Sequence, residues 1–437
     1  MKKFIYLNFF FYFLIFLLNG CSFFKDDKEK DKKDYKYETY VETVAKPDKS
    51  LRGIKVRLPK PKINNSWKQL TNNEAHRVLH PLVDNKISFF WKTSVGKGQN
   101  KKRPISSDPV IDEEKIYTLD TNLTVTAINK NTGKKKWVRK LIKKVGKSSG
   151  IINGGLAVEN DLLAVTAGTG DIFVLNKNNG KVIWNKNIVA PIRAAPIISG
   201  SLFLVLSKDN RLYAYNLIDG DLTWTHEGLE ETSTFMGSSA PVVSKGIVIV
   251  TYSSGEIYAI NSTNGHVIWN DNLSKLVQKK SLENISDIRA NAVIQNDIVY
   301  VVSHNGRMTA INLNNGKRIW DSNIGGIQTP WVASNFIYVL SKDNELICLT
   351  SKEGKIVWVS KLQEFKKKGK SITWTGPTLA GHMLIVSGSH GIIASLSPYT
   401  GKFLGAINIK SSVENQAIVS NKTVFFITSD GDLLAYK

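Results

Sequence analysis

Cysteine is scarce in this chain of 437 residues, which contains only Cys21 and Cys348. Small scaffolds held together by several disulfides are therefore excluded, as are structural zinc sites built from cysteine pairs. The seven histidines are scattered, and neither a nucleophile elbow nor a phosphate-binding glycine loop is present. The sequence therefore predicts a protein that binds partners and is not an enzyme, with no cofactor and no metal.

Acidic residues are also in deficit, with 37 Asp and Glu against 59 Lys and Arg and a net charge of +22. Such an excess can serve nucleic acid or an anionic membrane surface. Here lysine and asparagine are spread over the turns, and no dense arginine stripe alternates with aromatic residues. We therefore expect no nucleic-acid partner, and the sequence leaves open whether the basic surface contacts anionic lipid.

No apolar run reaches the ~20 residues that a membrane-spanning helix requires. The longest runs from Phe4 to Leu18, follows Lys2 and Lys3, and ends close to Cys21. A charged start followed by an apolar stretch of about 15 residues is typical of a secretory signal peptide. We therefore predict that residues 1–20 are a signal peptide.

The end of this segment, Leu18-Asn19-Gly20-Cys21, resembles the bacterial lipobox. The resemblance implies cleavage before Cys21 and acylation, including palmitate, of its thiol and new amine, and several acyl chains make a durable membrane anchor. An ordinary signal peptide with an incidental cysteine is the alternative. Ser22 follows the cysteine where Asp would favour the inner membrane, which by resemblance implies the periplasmic face of the outer membrane.

The residues after Cys21 are charged and poor in apolar side chains. Lys25–Lys36 mixes Lys, Asp and Glu, and Pro59 and Pro61 follow without clear periodicity. Such a segment cannot bury a core, so residues 21–65 are predicted to be a flexible charged tether. The sequence leaves open whether residues 62–85 pack on the folded domain.

A repeated phrase organises the rest of the chain. It consists of a short alternating apolar run, a polar turn ending in glycine, three residues and then tryptophan, as in Glu256–Trp269 with Gly265 ending the turn. The phrase recurs at intervals of 38 to 51 residues, and a degenerate copy has Gly405 in place of the tryptophan. A repeat of ~40–50 residues with four short strands is typical of a β-propeller blade.

The tryptophans of this phrase fall on the outermost strand of each predicted blade, where a large ring can pack between neighbouring blades. We interpret them as structural residues. They are Trp91, Trp137, Trp184, Trp224, Trp269, Trp320 and Trp358. A column of mostly small residues precedes each turn glycine by six positions and includes Cys348, which we therefore expect to be buried and unreactive.

The two ends of the chain supply complementary parts of one blade. Asp430–Lys437 contains a hairpin and a third strand, but the chain ends before a fourth. Ile87–Val95 is a strand with Trp91 and no blade before it. Joining the two closes the ring and removes its free sheet edges. We therefore predict an all-β fold, an eight-bladed β-propeller over residues 66–437 whose last blade is closed by an N-terminal strand.

Eight blades with this Gly…Trp phrase resemble the quinoprotein alcohol dehydrogenase superfamily over residues 66–437. That resemblance raises the hypothesis of a quinone-dependent enzyme. Such enzymes have adjacent cysteines at the cofactor and a calcium site, whereas Cys21 and Cys348 are far apart in this sequence.

The propeller pattern, the lipobox and the charged tether together resemble the BamB family of propeller lipoproteins in the β-barrel assembly machinery. Asn65-Ser66-Trp67, Ala75-His76 and Phe90-Trp91-Lys92 resemble its alphaproteobacterial branch. The resemblance implies a scaffold subunit that binds the periplasmic domains of the central barrel-inserting protein and assists insertion of outer-membrane proteins. Unfolded outer-membrane proteins are a second expected partner.

Two loops correspond to partner-binding loops of that family. In Ser233–Pro241, Phe235 matches an apolar position and Met236 stands where the family has Arg. In Ile285–Ala290, Asp287 matches the first of two acids and Arg289 replaces the second. The resemblance therefore implies partner-binding roles for these four residues, with an altered charge pattern. Packing between blades and capping of a turn are the alternatives.

A periplasmic propeller lipoprotein that binds a ligand or a cell-wall polymer is the second functional hypothesis. Surface tryptophans and acids gathered around one loop face would favour it. Most of the tryptophans in this sequence already belong to the blade repeat, so the assembly role is the preferred interpretation.

Overall fold

The computed structural model describes residues 44–77, 80–98, 107–142, 154–192, 194–229, 239–273, 288–362 and 372–437. The predicted signal peptide and Cys21 lie outside the described residues. Within these ranges, no helix has the length and apolar character needed to cross a membrane. The described chain folds into eight four-stranded antiparallel sheets, with a single 3-10 turn at Lys49–Leu51.

Each sheet is one blade, and its strands follow one another in chain order from the first to the fourth. Blade 1 consists of β2 (Val110–Asp112), β3 (Lys115–Leu119), β4 (Thr124–Asn129) and β5 (Lys135–Lys140); blade 2 of β6 (Gly154–Glu159), β7 (Leu162–Ala167), β8 (Asp171–Asn176) and β9 (Val182–Asn187); blade 3 of β10 (Ile197–Ser199), β11 (Leu202–Leu206), β12 (Arg211–Asn216) and β13 (Leu222–Glu227); and blade 4 of β14 (Val242–Ser244), β15 (Ile247–Thr251), β16 (Glu256–Asn261) and β17 (Val267–Asn272).

The second half of the ring repeats the pattern, except that the last blade draws on both ends of the chain. Blade 5 consists of β18 (Val293–Gln295), β19 (Ile298–Val302), β20 (Met308–Asn312) and β21 (Arg318–Ser322); blade 6 of β22 (Trp331–Ala333), β23 (Phe336–Leu340), β24 (Glu345–Thr350) and β25 (Ile356–Lys361); blade 7 of β26 (Trp374–Ala380), β27 (Met383–Gly388), β28 (Ile392–Leu396) and β29 (Phe403–Asn408); and blade 8 of β30 (Ile418–Ser420), β31 (Thr423–Ile427), β32 (Asp432–Tyr436) and β1 (Phe89–Ser94).

The middle strands of each blade form the core because a neighbouring blade covers each of their faces. Every residue of β23 and β31 is buried, and apart from Thr423 their residues are all apolar, as expected for strands covered on both sides. In the outermost strands β9 and β29, half-buried and exposed residues alternate. Burial thus decreases from the middle strands of each blade to its outermost strand. This decrease explains why the repeat contains apolar runs in the middle strands and alternating runs in the outermost ones.

A tryptophan on the outermost strand joins each of seven blades to the next. Trp137 lies opposite the small Ala127 in the ladder, and its indole N–H donates to the carbonyl of Lys177 in blade 2 at 3.1 Å. Gly180, with φ of +69°, lies under the ring so closely that a Cβ there would be 2.6 Å from it. Both the positive φ and the close approach therefore require glycine at the turn.

The same contact recurs around the ring and closes it. It joins Trp91 to Gly133, Trp184 to Gly220, Trp224 to Gly265, Trp269 to Gly316, Trp320 to Gly354 and Trp358 to Gly401. The first of these pairs links blade 8 to blade 1. In addition, Ser88 and Lys437 exchange backbone hydrogen bonds of 2.8 and 2.9 Å. The predicted eight-bladed propeller, closed by an N-terminal strand, is confirmed.

One joint, between blades 7 and 8, lacks this contact. Gly405 occupies the tryptophan position, and a Cβ there would meet no atom within 4 Å. Blade 8 has no turn between its third and fourth strands, because β32 ends the chain and β1 comes from its beginning. A tryptophan in blade 7 would therefore have no turn glycine to pack on.

Part of the predicted tether, residues 44–65, lies against the propeller. The buried carboxylate of Glu345 accepts hydrogen bonds from the backbone N–H groups of Val44 at 2.5 Å and Ala45 at 3.1 Å. The N–H of Asp48 donates to the carbonyl of Ile356, at the outer edge of β25, at 2.8 Å. Val56 is buried in the core cluster that includes blades 7 and 8. These hydrogen bonds come from the segment's own backbone N–H groups. Its position therefore depends little on its own side chains, many of which are polar.

Residues 64–77 and 80–81, here called the axial segment, lie on the first strands of the blades, which neighbour one another around the centre of the ring. Asn64 donates to Val419 of blade 8, and Trp67 exchanges two backbone hydrogen bonds of 2.7 Å with Ile111 of blade 1. The next contacts, at 2.7 to 2.9 Å, follow the ring: Lys68 O with Val158 N, the Gln69 amide with Ile198 N and O, and Glu74 O with Val243 N.

The axial segment also reaches the three remaining blades. Ala75 O accepts from Ile294 N of blade 5 at 3.0 Å, and Pro81 O accepts from Gly381 N of blade 7 at 2.8 Å. The indole of Trp67 lies 6.3 Å from that of Trp331 in blade 6. Blades 1 and 6 are not neighbours, so the Trp67 side chain spans the centre of the ring. The axial segment therefore contacts all eight blades.

His76 makes the axial segment sensitive to pH. Its ring is buried, with Nδ1 3.0 Å from the carbonyl of Ala292 and Nε2 without a hydrogen-bond partner among the described residues. Burial lowers the pKa of His76 from 6.5 to about 4, against the opposing effect of the hydrogen bond. The imidazole is therefore neutral in the folded protein at neutral pH, and Nδ1 carries the proton that it donates to Ala292.

We expect His76 to destabilise the fold as the pH falls from about 6.5 to about 4. In this window the unfolded state binds a proton that the folded state does not, so the free energy of unfolding falls by up to about 3 kcal/mol. Urea titrations of the wild type and His76→Gln, at pH 7 and pH 4.5, measure the effect. An equal loss of stability in both proteins on acidification would contradict the assignment to His76. Burial raises the pKa of Asp108 to about 6, which acts in the opposite direction but is common to both proteins.

Candidate partner-binding site

The strand order divides the hairpins and connections between the two faces of the ring. The connections from the fourth strand of one blade to the first strand of the next lie on one face, together with the hairpins between second and third strands. We call this the connection face. The hairpins between first and second strands and those between third and fourth strands lie on the opposite face, here called the turn face. The axial segment contacts two of the hairpins between first and second strands, at Gly381 and Asn421. Because binding loops in β folds cluster at one end of the scaffold, the connection face is the candidate surface.

Both loops that the sequence singled out are connections on this face. Phe235 and Met236 lie between β13 and β14, and Asp287 lies between β17 and β18, all three outside the described residues. Arg289, two positions after Asp287, is described and half-buried. The structure therefore gives the ends of both loops and the side chain of one of the four predicted residues.

A hydrogen bond joins the ends of these two connections. The N–H of Ala240, where the first connection ends, donates to Oδ1 of Asn291 at 2.7 Å. Nδ2 of Asn291 donates in turn to the hydroxyl of Thr329 in the connection into blade 6, also at 2.7 Å. Both loops therefore end side by side. Asn291 was not predicted from the sequence, because proline directly precedes the first strand in four blades, whereas Asn291-Ala292 precedes the first strand of blade 5.

A buried glutamate fixes the beginning of the β13–β14 connection. Glu256 accepts from the N–H of Leu229 and from the hydroxyl of Ser254, each at 2.8 Å, and from the hydroxyl of Tyr258 at 3.0 Å. Its position directly after the β15–β16 hairpin is that of Glu345 in blade 6, which binds Val44 and Ala45 in the same way. Two glutamates at equivalent positions therefore bind backbone N–H groups of other segments of the chain. The repeat alone does not predict this role.

The charge of Arg289 acts on a neighbouring hairpin of the connection face. The pKa of His304, in the β19–β20 hairpin, is lowered by burial and by the charges of Lys342 and Arg289. Lys342 is exposed in the β23–β24 hairpin of the same face, beside the exposed Asp343.

Two apolar side chains are exposed on other connections of this face. Leu229, at the start of the β13–β14 connection, is 65% exposed, and Val189, between β9 and β10, is 88% exposed. Val189 has φ of +67°, an unfavourable conformation for a β-branched residue, and its N–H is held by Oδ1 of Asn187 at 2.7 Å. Exposed apolar residues beside fixed charges are typical of protein-binding surfaces.

The comparisons with known proteins agree with this architecture. The family model described as "Outer membrane protein assembly factor BamB" matches residues 122–360, more than half of the chain. The chain belongs to the BamB family. The BamB of Yersinia pestis is 25% identical over 253 residues, which are 56% of this chain and 64% of that protein. The chain thus matches just under two thirds of the length of this BamB relative.

Solved structures show the same fold at low sequence identity. BamB from Moraxella catarrhalis superposes with a TM-score of 0.69 at 13% identity, over 80% of this chain and 100% of that one. A quinohemoprotein alcohol dehydrogenase from Comamonas testosteroni gives a TM-score of 0.67 at 12% identity, over 85% of this chain and 80% of that one. BamB proteins and quinoproteins thus share the propeller, which by itself does not distinguish their functions.

The position of Cys348 accords with a structural role in this BamB-family protein. Cys348 lies on β24 opposite Trp358, and burial raises the pKa of its thiol well above the usual range. A thiol held in its neutral form is a poor nucleophile. Among the described residues, no three His, Cys, Asp or Glu side chains are grouped as a metal site would require.

Proposed function

We propose that this protein is a non-enzymatic scaffold subunit of the outer-membrane β-barrel assembly machinery. It is anchored through acylated Cys21 to the periplasmic face of the outer membrane. It binds the periplasmic domains of the central barrel-inserting protein through the β13–β14 and β17–β18 connections, and so assists insertion of outer-membrane proteins.

The observation that carries this proposal is the hydrogen bond between Ala240 and Asn291, which places the ends of the two connections side by side. Phe235 and Asp287, on separate connections, can then contribute to a single surface, together with Arg289 and the exposed Leu229. Membership of the BamB family supports the assembly role. The axial segment occupies the turn face, so a ligand bound at the centre of that face, as in the alternative hypothesis, would have to displace Trp67.

Recovery of the barrel-inserting protein from gently solubilised envelopes tests the proposal. With a tag at the C-terminus, wild-type protein is expected to recover it, and Phe235→Ala combined with Asp287→Ala is expected to reduce recovery by about tenfold or more, as loss of central contacts does. Ile218→Ala combined with Asp219→Ala is the matched control, because these exposed residues form an apolar and acidic pair on the turn face.

Equal recovery by the wild type and both variants would place the contact elsewhere on the protein. Failure of the wild type to recover a barrel protein, under conditions that preserve a known envelope complex, would overturn the proposed function. A Cys21→Ser variant separates binding from anchoring, since it is expected to lose membrane association while retaining the protein contact in detergent.

A further inference from the structure

Each blade of a propeller ends in an outermost strand that has a neighbouring strand of its own sheet on one side only. Exposed edges invite pairing with other chains, and charged side chains on the edge strand oppose it. Seven of the eight outermost strands, all within the described residues, contain at least one charged residue: Lys92 in β1, Lys136 and Arg139 in β5, Lys186 in β9, Glu227 in β13, Asp271 in β17, Arg318 and Asp321 in β21, and Lys361 in β25. The eighth, β29, has the sequence Phe-Leu-Gly-Ala-Ile-Asn and contains none.

Strand β29 also has the smallest side chains at its centre. Gly405 occupies the tryptophan position, with open space where a Cβ would be, and the exposed Ala406 follows it. Leu404 before them is 54% exposed, and Ile407 after them is half-buried. The other outermost strands place a tryptophan here. The centre of β29 therefore presents only small and aliphatic side chains to an incoming strand.

Other outermost strands are partly obstructed by this chain itself. The N–H of Asp48 already binds the carbonyl of Ile356 on β25. The guanidinium of Arg318 binds the carboxylate of Asp271 and the carbonyl of Asn272 on β17, each at 2.7 or 2.8 Å. Strand β29 is the last strand of its sheet, with β28 as its partner.

We propose that β29 binds an extended peptide as a fifth strand of blade 7, and that this peptide is a strand of an outer-membrane β-barrel protein before it folds. The substrate class rests on the proposed function. Barrel strands are segments of ~10 residues in which apolar and polar residues alternate. Such a strand is complementary to the uncharged β29, since its backbone completes the ladder and its apolar side chains, which share one side of the sheet, contact the exposed Leu404 and Ala406. On the seven other strands, pairing would desolvate a charge.

Binding of a short probe peptide to the full-length lipoprotein in detergent tests the inference. The probe is a fluorescein-labelled peptide of ten residues in which valine and tyrosine alternate with serine and asparagine, and a peptide of the same composition with its apolar residues in one block is the reference. Fluorescence anisotropy is expected to show binding of the alternating peptide. Ala406→Lys is expected to weaken it by about tenfold or more, because a lysine then lies on the edge.

Asn270→Lys is the matched control. Asn270 is exposed and follows Trp269 on β17, as Ala406 follows Gly405 on β29, and its replacement is expected to leave peptide affinity within about twofold of the wild type because β17 is not the binding edge. Equal weakening by both substitutions, or by neither, would overturn the inference. A photoreactive phenylalanine analogue in place of Leu404 is expected to crosslink the peptide, and the same analogue at Ile268, the equivalent exposed position on β17, is not.

Other occupants of β29 give distinct results, each of which overturns the inference. Pairing of β29 between two copies predicts a dimer in sedimentation velocity that Ala406→Lys dissociates. Occupation by the chain's own tether predicts that the peptide binds only after removal of residues 22–43. If the wild type binds no peptide but still recovers the barrel-inserting protein, only this inference fails. If it binds the peptide without recovering that protein, the proposed function fails.

Discussion

Replacement of Trp67 by alanine is expected to lower the free energy of unfolding by about 3–5 kcal/mol, the range found when large buried aromatic side chains are removed. Trp67 is 1% exposed, and its ring reaches from blade 1 to Trp331 in blade 6. The cavity left by alanine lies at the centre of the ring. A cavity between two neighbouring blades could be filled by moving those two, whereas filling this one would require all eight blades to move. For a propeller of this size, a fall of about 4–6 °C in the melting temperature is expected.

Calorimetry of the wild type, Trp67→Ala and Trp67→Phe measures this effect. Trp67→Phe retains most of the apolar contact and is expected to lose less than half as much stability. Ile63→Ala is the control, because Ile63 lies one residue before the axial segment but is 55% exposed. A Trp67→Ala protein as stable as the Ile63→Ala protein would show that the axial segment does not stabilise the ring.

The second large effect concerns the ion pair between blades 1 and 2. Nζ of Lys177 lies 2.6 Å from a carboxylate oxygen of Asp112, and the side chains are only 9% and 6% exposed. Asp112→Ala leaves the buried ammonium group without its partner and is expected to cost about 3–5 kcal/mol. Glu113 is 4.0 Å away and 76% exposed, so it compensates little. The carbonyl of Lys177 also accepts from Trp137 and Tyr117, which places the loss at the joint between two blades.

Replacing both members of the pair distinguishes an unpaired charge from a general loss of packing. Asp112→Leu combined with Lys177→Met is expected to recover most of the stability lost in Asp112→Ala, because buried ion pairs can often be replaced by apolar residues at little cost. Urea unfolding of the three proteins provides the measurement. If Asp112→Ala unfolds at the wild-type urea concentration, then water solvates Lys177 and the pair contributes nothing.

The fold could be predicted because the blades repeat the same pattern of residues at the same spacing. The small residue opposite each tryptophan, such as Ala127 opposite Trp137, and the glycine under the ring recur in every unit that has the full contact. The chain ends could be assigned to one blade since Ala435 occupies the small position and lies opposite Trp91. Short-range spacing was sufficient for these predictions.

The axial segment could not be predicted for the opposite reason. Trp67, Gln69 and Ala75 each bind a different blade, so the segment has no period and no amphipathic face to recognise. The candidate site was predictable only in part, for a similar reason. Arg289 was predicted from a family resemblance. Glu256 and Asn291, in contrast, accept hydrogen bonds from backbone N–H groups of other segments, and no spacing in the sequence indicates such contacts.

The docking of residues 44–65 has a mechanical consequence. Strand β1 is the outermost strand of blade 8 and the first strand among the described residues, so a pull applied directly to its beginning at Phe89 would peel it from β32 one hydrogen bond at a time. A pull on the chain before Val44 instead loads the two hydrogen bonds to Glu345 in blade 6 and then the contacts of the axial segment. Tension on the tether is thus shared among several blades before it reaches the strand that keeps the ring closed.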